Sequence, residues 1–408
     1  MYILLSILVL VIGLIVAINT PWGKEQIRKY AVSFLEKKLD TKVAIGKIDF
    51  SIPSAVNLSG VLVLDKAQDT MVWINQLDVN VNMLKLIEGR ISVSKLNLDG
   101  ADVHMYRTAT DTNYNYQFVI DSFVGKPEAS NQEVIDTAQA SPIYLDAGTI
   151  TITNTRYRLS DTIGGTLFGI KLNSLVLKPR NIDLNTMRFE VADFVGDTIN
   201  SYFFSIPSSL PPPPPDSSEA SDVVLIVDKL TLNKASFAMK DSSSGMDFNI
   251  IAKELSASMP WFSLVEQKIN IDYFNLVQSN TSIAFNKTSV PKAPPEPVST
   301  SEDSGSWRVV VNDLLLKEIG FKMDDNLKPA LRDGIDYAHL DVKNFYMTAS
   351  DVLYSVDTIS GIIKNLSMLE KSGLDIQTLR TAFTYHAKGA ILDEFYLKTP
   401  NTLLQDKM

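Results

Sequence analysis

From Lys42 onward the apolar residues alternate, and the alternation breaks at one recurring place. Leu230-Thr-Leu232-Asn-Lys-Ala235-Ser-Phe237-Ala-Met239-Lys-Asp241 has a close counterpart in Leu314-Leu-Leu316-Lys-Glu-Ile319-Gly-Phe321-Lys-Met323-Asp-Asp325. Ile150, Ile152, Thr155, Tyr157, Leu159 and Asp161 fall at the same offsets, as do Leu96, Leu98, Ala101, Val103 and Met105. Val56, Leu58, Val61, Val63 and Asp65 form a weaker fifth copy. Period two means strands with one apolar face, and self-similarity along the chain means a repeat architecture. Such a chain folds as a long sheet or not at all.

In each copy the parity shifts by one across a two-residue gap: Asp99-Gly100, Thr153-Asn154, Asn233-Lys234 or Lys317-Glu318. A two-residue hairpin turn does this, because the residues flanking the turn face each other. On that reading Leu232 faces Ala235 and Leu230 faces Phe237, with Lys229, Thr231, Asn233, Ser236, Ala238 and Lys240 on a wet face. A β-bulge shifts parity equally well, and only Asp99-Gly100 is a strong turn signal. A second repeat aligns Met83–Leu98 with Trp261–Leu276 without a gap. Both carry a short apolar turn, an acid, a base and an alternating strand.

Three segments depart from the pattern: Gly125–Pro142, Ile206–Asp222 with its run Pro211–Pro215, and Asn286–Ser306 with four prolines. Each immediately precedes a copy of the repeat, so each reads as a surface loop at a fixed place in the unit rather than as a domain linker. Helical patterns after Leu39 are few; Lys328–Leu340 and Ser367–Thr384 are the candidates. Helices are too scarce to cover an apolar sheet face. The sheet therefore curls on itself or holds an apolar ligand, and stacked repeat units of roughly 20 strands give a body on the order of 100 Å long.

The amino terminus is different. Tyr2–Ile18 carries no charge and is long enough, at 1.5 Å per helical residue, to cross a bilayer core. It exceeds a signal-peptide core, no small-x-small cleavage site follows, and Asn19-Thr20-Pro21-Trp22 reads as a stop. An uncleaved anchor is expected over 1–20. Gly23–Leu39 then has helical spacing, reading either as a cap on the core or as a helix on the membrane surface. Lys24, Arg28, Lys29, Lys37 and Lys38 all follow the span. The positive-inside rule alone would place the body in the cytoplasm; a basic leader ahead of the recorded start would reverse this.

Composition removes chemistry. Zero cysteine excludes disulfides, thiolate metal sites, iron–sulfur clusters and a thiol nucleophile, and three scattered histidines (His104, His339, His386) leave little for a metal site. A net charge of −9 argues against a broad nucleic-acid surface. Asp65, Asp161, Asp241 and Asp325 recur, and paired carboxylates can do acid–base work. They fall at strand ends, however, where Asp caps turns. Thr108-x-Thr110-x-Thr112 and Ser242-Ser-Ser244 lack a His or Lys at useful spacing, and Gly164-Gly165 is a turn. The expectation is no enzyme, no cofactor and no metal.

Thr20-Pro21-x-Gly23, the basic helix and Val43-x-Ile45-Gly46-x-Ile48 resemble the start of AsmA-like proteins. Val61–Asp65, Asp69-Thr70, Leu77–Val81, Leu84, Ile91–Leu98, Tyr106-Arg107, Asn115-Tyr116-x-Phe118 and Asp121-Ser-Phe123 resemble the TamB branch in its Bacteroidetes-like form. The resemblance implies a mostly β chain: an anchor over 1–20, an amphipathic helix over 21–40, and an elongated, repeat-built, curved, antiparallel-rich sheet over 41–408. It further implies a U-shaped apolar groove in the periplasm, single-pass in a bacterial inner membrane, serving phospholipid movement and outer-membrane biogenesis. The alternative is a scaffold for barrel-protein insertion and secretion with a TamA- or BamA-like partner. That partner would be met through a carboxyl-terminal part beyond the repeat-like ending Leu403–Met408. Phospholipids and the inner membrane are the expected partners, with no nucleic acid. The expected groove lining is Leu96, Leu98, Val103, Met105, Ile150, Ile152, Tyr157, Leu159, Leu230, Leu232, Phe237, Met239, Leu314, Leu316, Phe321 and Met323.

Overall fold

A computed structural model describes residues 19–51, 55–81, 92–109, 112–124, 146–183, 187–208, 224–263, 265–288 and 307–405. The expected anchor over Tyr2–Ile18 lies outside these residues. Among the described residues no helix is long and apolar enough to cross a membrane. Two helices are described, α1 (Pro21–Leu39) and α2 (Gln117–Val124). The rest is mostly strand: β1 (Val43–Ser51), β2 (Ala55–Leu64), β3 (Thr70–Val81), β4 (Ser92–Arg107), β5 (Asp146–Asp161), β6 (Thr166–Asp183), β7 (Arg188–Ser205) and β8 (Val224–Asp241). Then come β9 (Met246–Ser263), β10 (Lys268–Phe285), β11 (Arg308–Asp325), β12 (His339–Tyr354), β13 (Thr358–Glu370), β14 (Asp375–His386), β15 (Gly389–Lys398) and β16 (Leu403–Gln405). The strand order is the sequence order. Two compact units arise, one from 1–163 with 171–185 and the other from 164–170 with 186–408, so β6 contributes to both.

In the first unit α1 begins where the Thr20 hydroxyl accepts the Gly23 amide at 3.0 Å and Pro21 presets the first turn, and it ends at Asp40 in the left-handed region. One side of α1 lies along the outer edge of β1. Glu36 accepts the Val43 amide at 3.3 Å, the Arg28 guanidinium donates to the Ile45 carbonyl at 2.9 Å, and Lys24 pairs with Asp49. Edge groups that would otherwise await another strand are thereby satisfied. The sequence left open whether this helix caps the fold or lies on a membrane; its inner side does the first.

β1 to β4 pair antiparallel and β4 pairs with β5 in parallel. In the second unit β7 and β8 are parallel, β8–β9–β10 antiparallel, and β10 and β11 parallel, after which β11 to β16 are antiparallel. Each Pro- or Ser-rich segment foreseen as a loop thus connects two strands that pair in parallel, the first together with α2. Most of Gly125–Pro142, Ile206–Asp222 and Asn286–Ser306 itself lies outside the described residues, as does Met83–Ile91 of the second repeat.

The hairpin reading of the repeat is corrected. β8 runs unbroken through Asn233-Lys234; Leu232 pairs with Leu255 and Gly196, and Ala235 with Ala252 and Ile199. The parity shift is a bulge, the second of the two readings open in the sequence. Lys234 has φ 54°, and Gly60, Gly100, Asn154, Thr198, Gln278 and Glu318 are left-handed at matching places in their strands. Register puts Gly100 beside Asn154, Thr198 beside Lys234 and Gln278 beside Glu318. A lone bulge would flip its neighbour's side chains onto the wrong face. Shifting adjacent strands together at one level keeps every apolar row on one face.

Two substitutions test the bulge with opposite signs. A Cβ at Gly100, φ 65°, would lie 2.7 Å from the Asn75 Cβ. Gly100→Val should therefore destabilise by about 2 kcal/mol or more, since the left-handed region alone costs ~1–2 kcal/mol for a side chain. Lys234→Gly removes that cost and should be neutral or stabilising by up to about 1 kcal/mol, net of glycine's entropy. Denaturant unfolding of both variants decides; loss of stability in Lys234→Gly would contradict the bulge.

The two expected helical stretches are also corrected. Ser367–Thr384 lies in β13 and β14. Lys328–Ala338 is an irregular loop folded around buried Asp336, whose carboxylate accepts the Leu331 amide at 2.8 Å, the Ala338 amide at 3.1 Å and His339 Nδ1 at 3.0 Å. Pro329 and left-handed Gly334 suit that loop better than a helix.

Candidate functional site: an apolar sheet face

All sixteen predicted lining residues lie on β4, β5, β8 and β11. In the first unit they meet across the parallel pair: Leu96 with Ile150, Leu98 with Ile152, Val103 with Tyr157, and Met105 with Leu159. In the second unit β8 and β11 are separated by β9 and β10, which the prediction omitted. Register supplies the missing members. Leu230, Leu232, Phe237 and Met239 pair with Ala257, Leu255, Ile250 and Phe248 of β9. Leu314, Leu316 and Met323 pair with Phe274, Leu276 and Ile283 of β10, and Phe321 with Val342 of β12. The signal was in the sequence: Phe248, Ile250, Ala252, Leu255, Ala257 and Met259 carry the same alternation and the same shift, read in the reverse direction.

Burial distinguishes this face from a closed core. Each of the sixteen residues is half-buried, neither sealed nor fully exposed. Some sealed apolar positions sit beside the bulges, while others, such as Val227 and Ala257, lie further along the strands. Ala101 is 3% exposed, and Ala252, Leu276 and Ile319 form a small cluster packed by Ile250, Leu255, Phe274, Leu316 and Phe345. A sandwich interior would bury the long side chains of these sixteen positions.

One stretch of this face in the second unit forms a cavity of about 450 Å³ lined by Leu316, Phe321, Ile335, Tyr337, Val342 and Phe345, with Glu370 at its margin. Glu370 is 2% exposed and fully engaged. Burial pushes its carboxyl up, but the Ser372 hydroxyl and amide and the Asp341 amide outweigh this, and the group ends below its ordinary value. It is an anion held by its turn, not a proton carrier.

The opposite face is polar along the same bulge line. Lys253 Nζ donates to Gln278 Oε1 at 2.6 Å, and Gln278 Nε2 donates to Glu318 Oε2 at 2.6 Å. In the first unit Asp99 accepts from Thr153 at 2.6 Å, Asn154 at 2.8 Å and Asn75 at 3.1 Å, and these bonds, Thr153's first, lower its carboxyl.

The recurring aspartates end strands and hold turns. Asp241 accepts the Ser243 hydroxyl at 2.6 Å and amide at 2.9 Å and the Ser244 hydroxyl at 2.6 Å; these bonds lower its carboxyl from 3.8 to about 2. Asp325 accepts the Leu327 amide at 3.1 Å. Asp65, 1% exposed, accepts the Tyr106 hydroxyl at 2.7 Å and the amides of Ala67 and Asp69 at 2.9 Å each. Asp161 takes both arms of Arg107, at 2.7 and 2.6 Å, and the Tyr114 hydroxyl at 2.9 Å. Burial first, then that hydrogen bond, raises the Tyr114 phenol. Among the described residues no group of three His, Asp or Glu is placed to hold a metal ion. This geometry offers an extended apolar surface with polar stitching behind it.

The AsmA family model matches residues 1–184, somewhat under half of the chain. No curated protein matches it.

Proposed function

We propose that this chain, AsmA-like over residues 1–184, uses the apolar sheet face to shelter phospholipid acyl chains as they pass between the inner and outer membranes. AsmA membership points to lipid transport or outer-membrane assembly; the half-buried apolar rows favour the first. Leaving an acyl chain of about 16 carbons in water costs on the order of 13 kcal/mol at ~0.8 per CH₂. Rows that stay half open along whole strands lower that cost at each step, and a sealed core would not. On this reading the anchor lies in a bacterial inner membrane, the strands lie in the periplasm, and no catalytic step is assigned. The TamB branch, with a TamA- or BamA-like partner, is the finer family assignment of the same proposal.

A photo-crosslinking residue in place of Phe237, in the full chain in cells, is expected to capture phospholipid. The same residue in place of Ser236, on the other face, should capture little. Equal capture at both positions, or none at Phe237, overturns the reading. One observation favours a scaffold instead. Among the described residues Ile391 and Leu392 of β15 are half exposed, apolar side chains that a client strand can cover. A crosslinker at Ile391 that captures an unfolded barrel protein, with no lipid at Phe237, would support that second function.

A further inference from the structure

We propose that the outer side of α1, continued by α2, is a docking surface for an anionic bilayer. α1 is held to the β1 edge by Arg28, Glu36 and Lys24, which fixes the side it turns outward. Trp22, Gln26, Tyr30, Ser33 and Lys37 follow one another at three- and four-residue steps and so form one stripe. Its aromatics are open, Trp22 at 70% and Tyr30 at 76% exposed, and Phe34 beside the stripe is 50% exposed. Lys29, Lys37 and Lys38 are exposed among them. The two carboxylates of α1 are drawn elsewhere, Glu25 to Arg28 at 2.6 Å, with Lys29 at 3.8 Å, and Glu36 to the Val43 amide.

α2 extends the patch. Lys38 Nζ lies 5.8 Å over the Phe123 ring, and Phe123 and Ile120 are 56% and 43% exposed. Trp and Tyr seat their rings at headgroup depth while keeping their polar tips wet. Lysines reach outward along their stems and meet anionic headgroups. Aromatics interleaved with lysines thus fit a lipid interface better than the drier, less lysine-rich centre of a protein contact. The uncharged run Tyr2–Ile18, proposed above as the membrane anchor, is separated from α1 in the sequence by only Asn19 and Thr20. This inference stands on α1 and α2 and does not depend on lipid passage along the sheet.

The chain has no cysteine, so single nitroxide labels can be placed cleanly. Full-length Tyr30→Cys, Phe34→Cys and, as reference, Lys317→Cys would be labelled and reconstituted in vesicles of phosphatidylglycerol with phosphatidylethanolamine. The ratio of oxygen to nickel-chelate accessibility at Tyr30 and Phe34 should exceed that at Lys317 several-fold. It should fall toward the Lys317 value when Lys29→Gln, Lys37→Gln and Lys38→Gln are combined, and in phosphatidylcholine alone. Ratios equal to that at Lys317 overturn the proposal. So do ratios indifferent to the lysines and to lipid charge, or spin–spin broadening between Tyr30 labels, which would put a second copy on the stripe. Unchanged protease resistance of each variant confirms that the fold is retained.

Discussion

Leu232→Asp is expected to reduce lipid capture at Phe237 by roughly 60-fold. Leu232 lies in the apolar row of β8 between Gly196 and Leu255, on the same face as Phe237. A carboxylate there must either keep its water, interrupting the apolar path, or lose it against an acyl chain. An aspartate in a lipid environment costs about 2.5 kcal/mol, and every 1.4 kcal/mol is tenfold in an equilibrium. Because Leu232 is half-buried in the free chain, most of that cost falls on the lipid-bound state. The control is Thr231→Asp, one residue away on the wet face, which should leave capture unchanged. Two outcomes would sink the idea: lipid yield at Phe237 unaltered by Leu232→Asp, or equal loss in both variants. In cells the same variant should disturb outer-membrane lipid composition while its protein level stays normal.

The largest effect on stability is expected at Asp161. Its side chain is 5% exposed and that of Arg107 is 19% exposed. The guanidinium spends two hydrogen bonds on this carboxylate and lies 4.6 Å over the Tyr114 ring. Removing one member of such a pair leaves the other charge buried without its counterion, and that costs about 3 kcal/mol or more. Asp161→Ala should therefore open the first unit to trypsin and lower its melting temperature by about 6–12 °C, at ~2–4 °C per kcal/mol. Asp313→Ala is the comparison. It breaks an ion pair with Lys364 whose side chains are 71% and 52% exposed, and it should cost under about 1 kcal/mol. Similar melting of the two variants would show that the Arg107–Asp161 pair does not hold the unit together.

The alternation of apolar residues was legible from the chain, and so was the one-residue shift within it. Whether the shift meant a turn or a bulge was not. Both put Leu232 and Ala235 on one face, and the difference lies in the neighbouring strands. The partner of Leu232 is Leu255, and Leu255 belongs to a row that shifts at the same level. Only pairing information carries that. The loop positions were legible because Pro- and Ser-rich segments recurred before each copy, yet nothing local said that they join parallel strands. Ser367–Thr384 misled because Ile376, Leu379 and Phe383 fall at three- and four-residue steps within β14. Tertiary pairing overrides such a short pattern. The lining residues on β9 were missed because β9 runs antiparallel to β8 and carries the repeat in reverse; β10 runs parallel to β11, and the second repeat reached it only as far as Leu276.

α1 on the edge of β1 also gives the first unit an origin. With that edge closed, the sheet of this unit grows in one direction only, and distance from the helix is counted in strands. β5 lies four spacings from β1, about 19 Å at ~4.8 Å each. If α1 rests on a bilayer, the row from Leu96 to Ile150 begins within one leaflet's thickness of the surface. A lipid lifted from that leaflet would meet the apolar face before its tails had left the membrane.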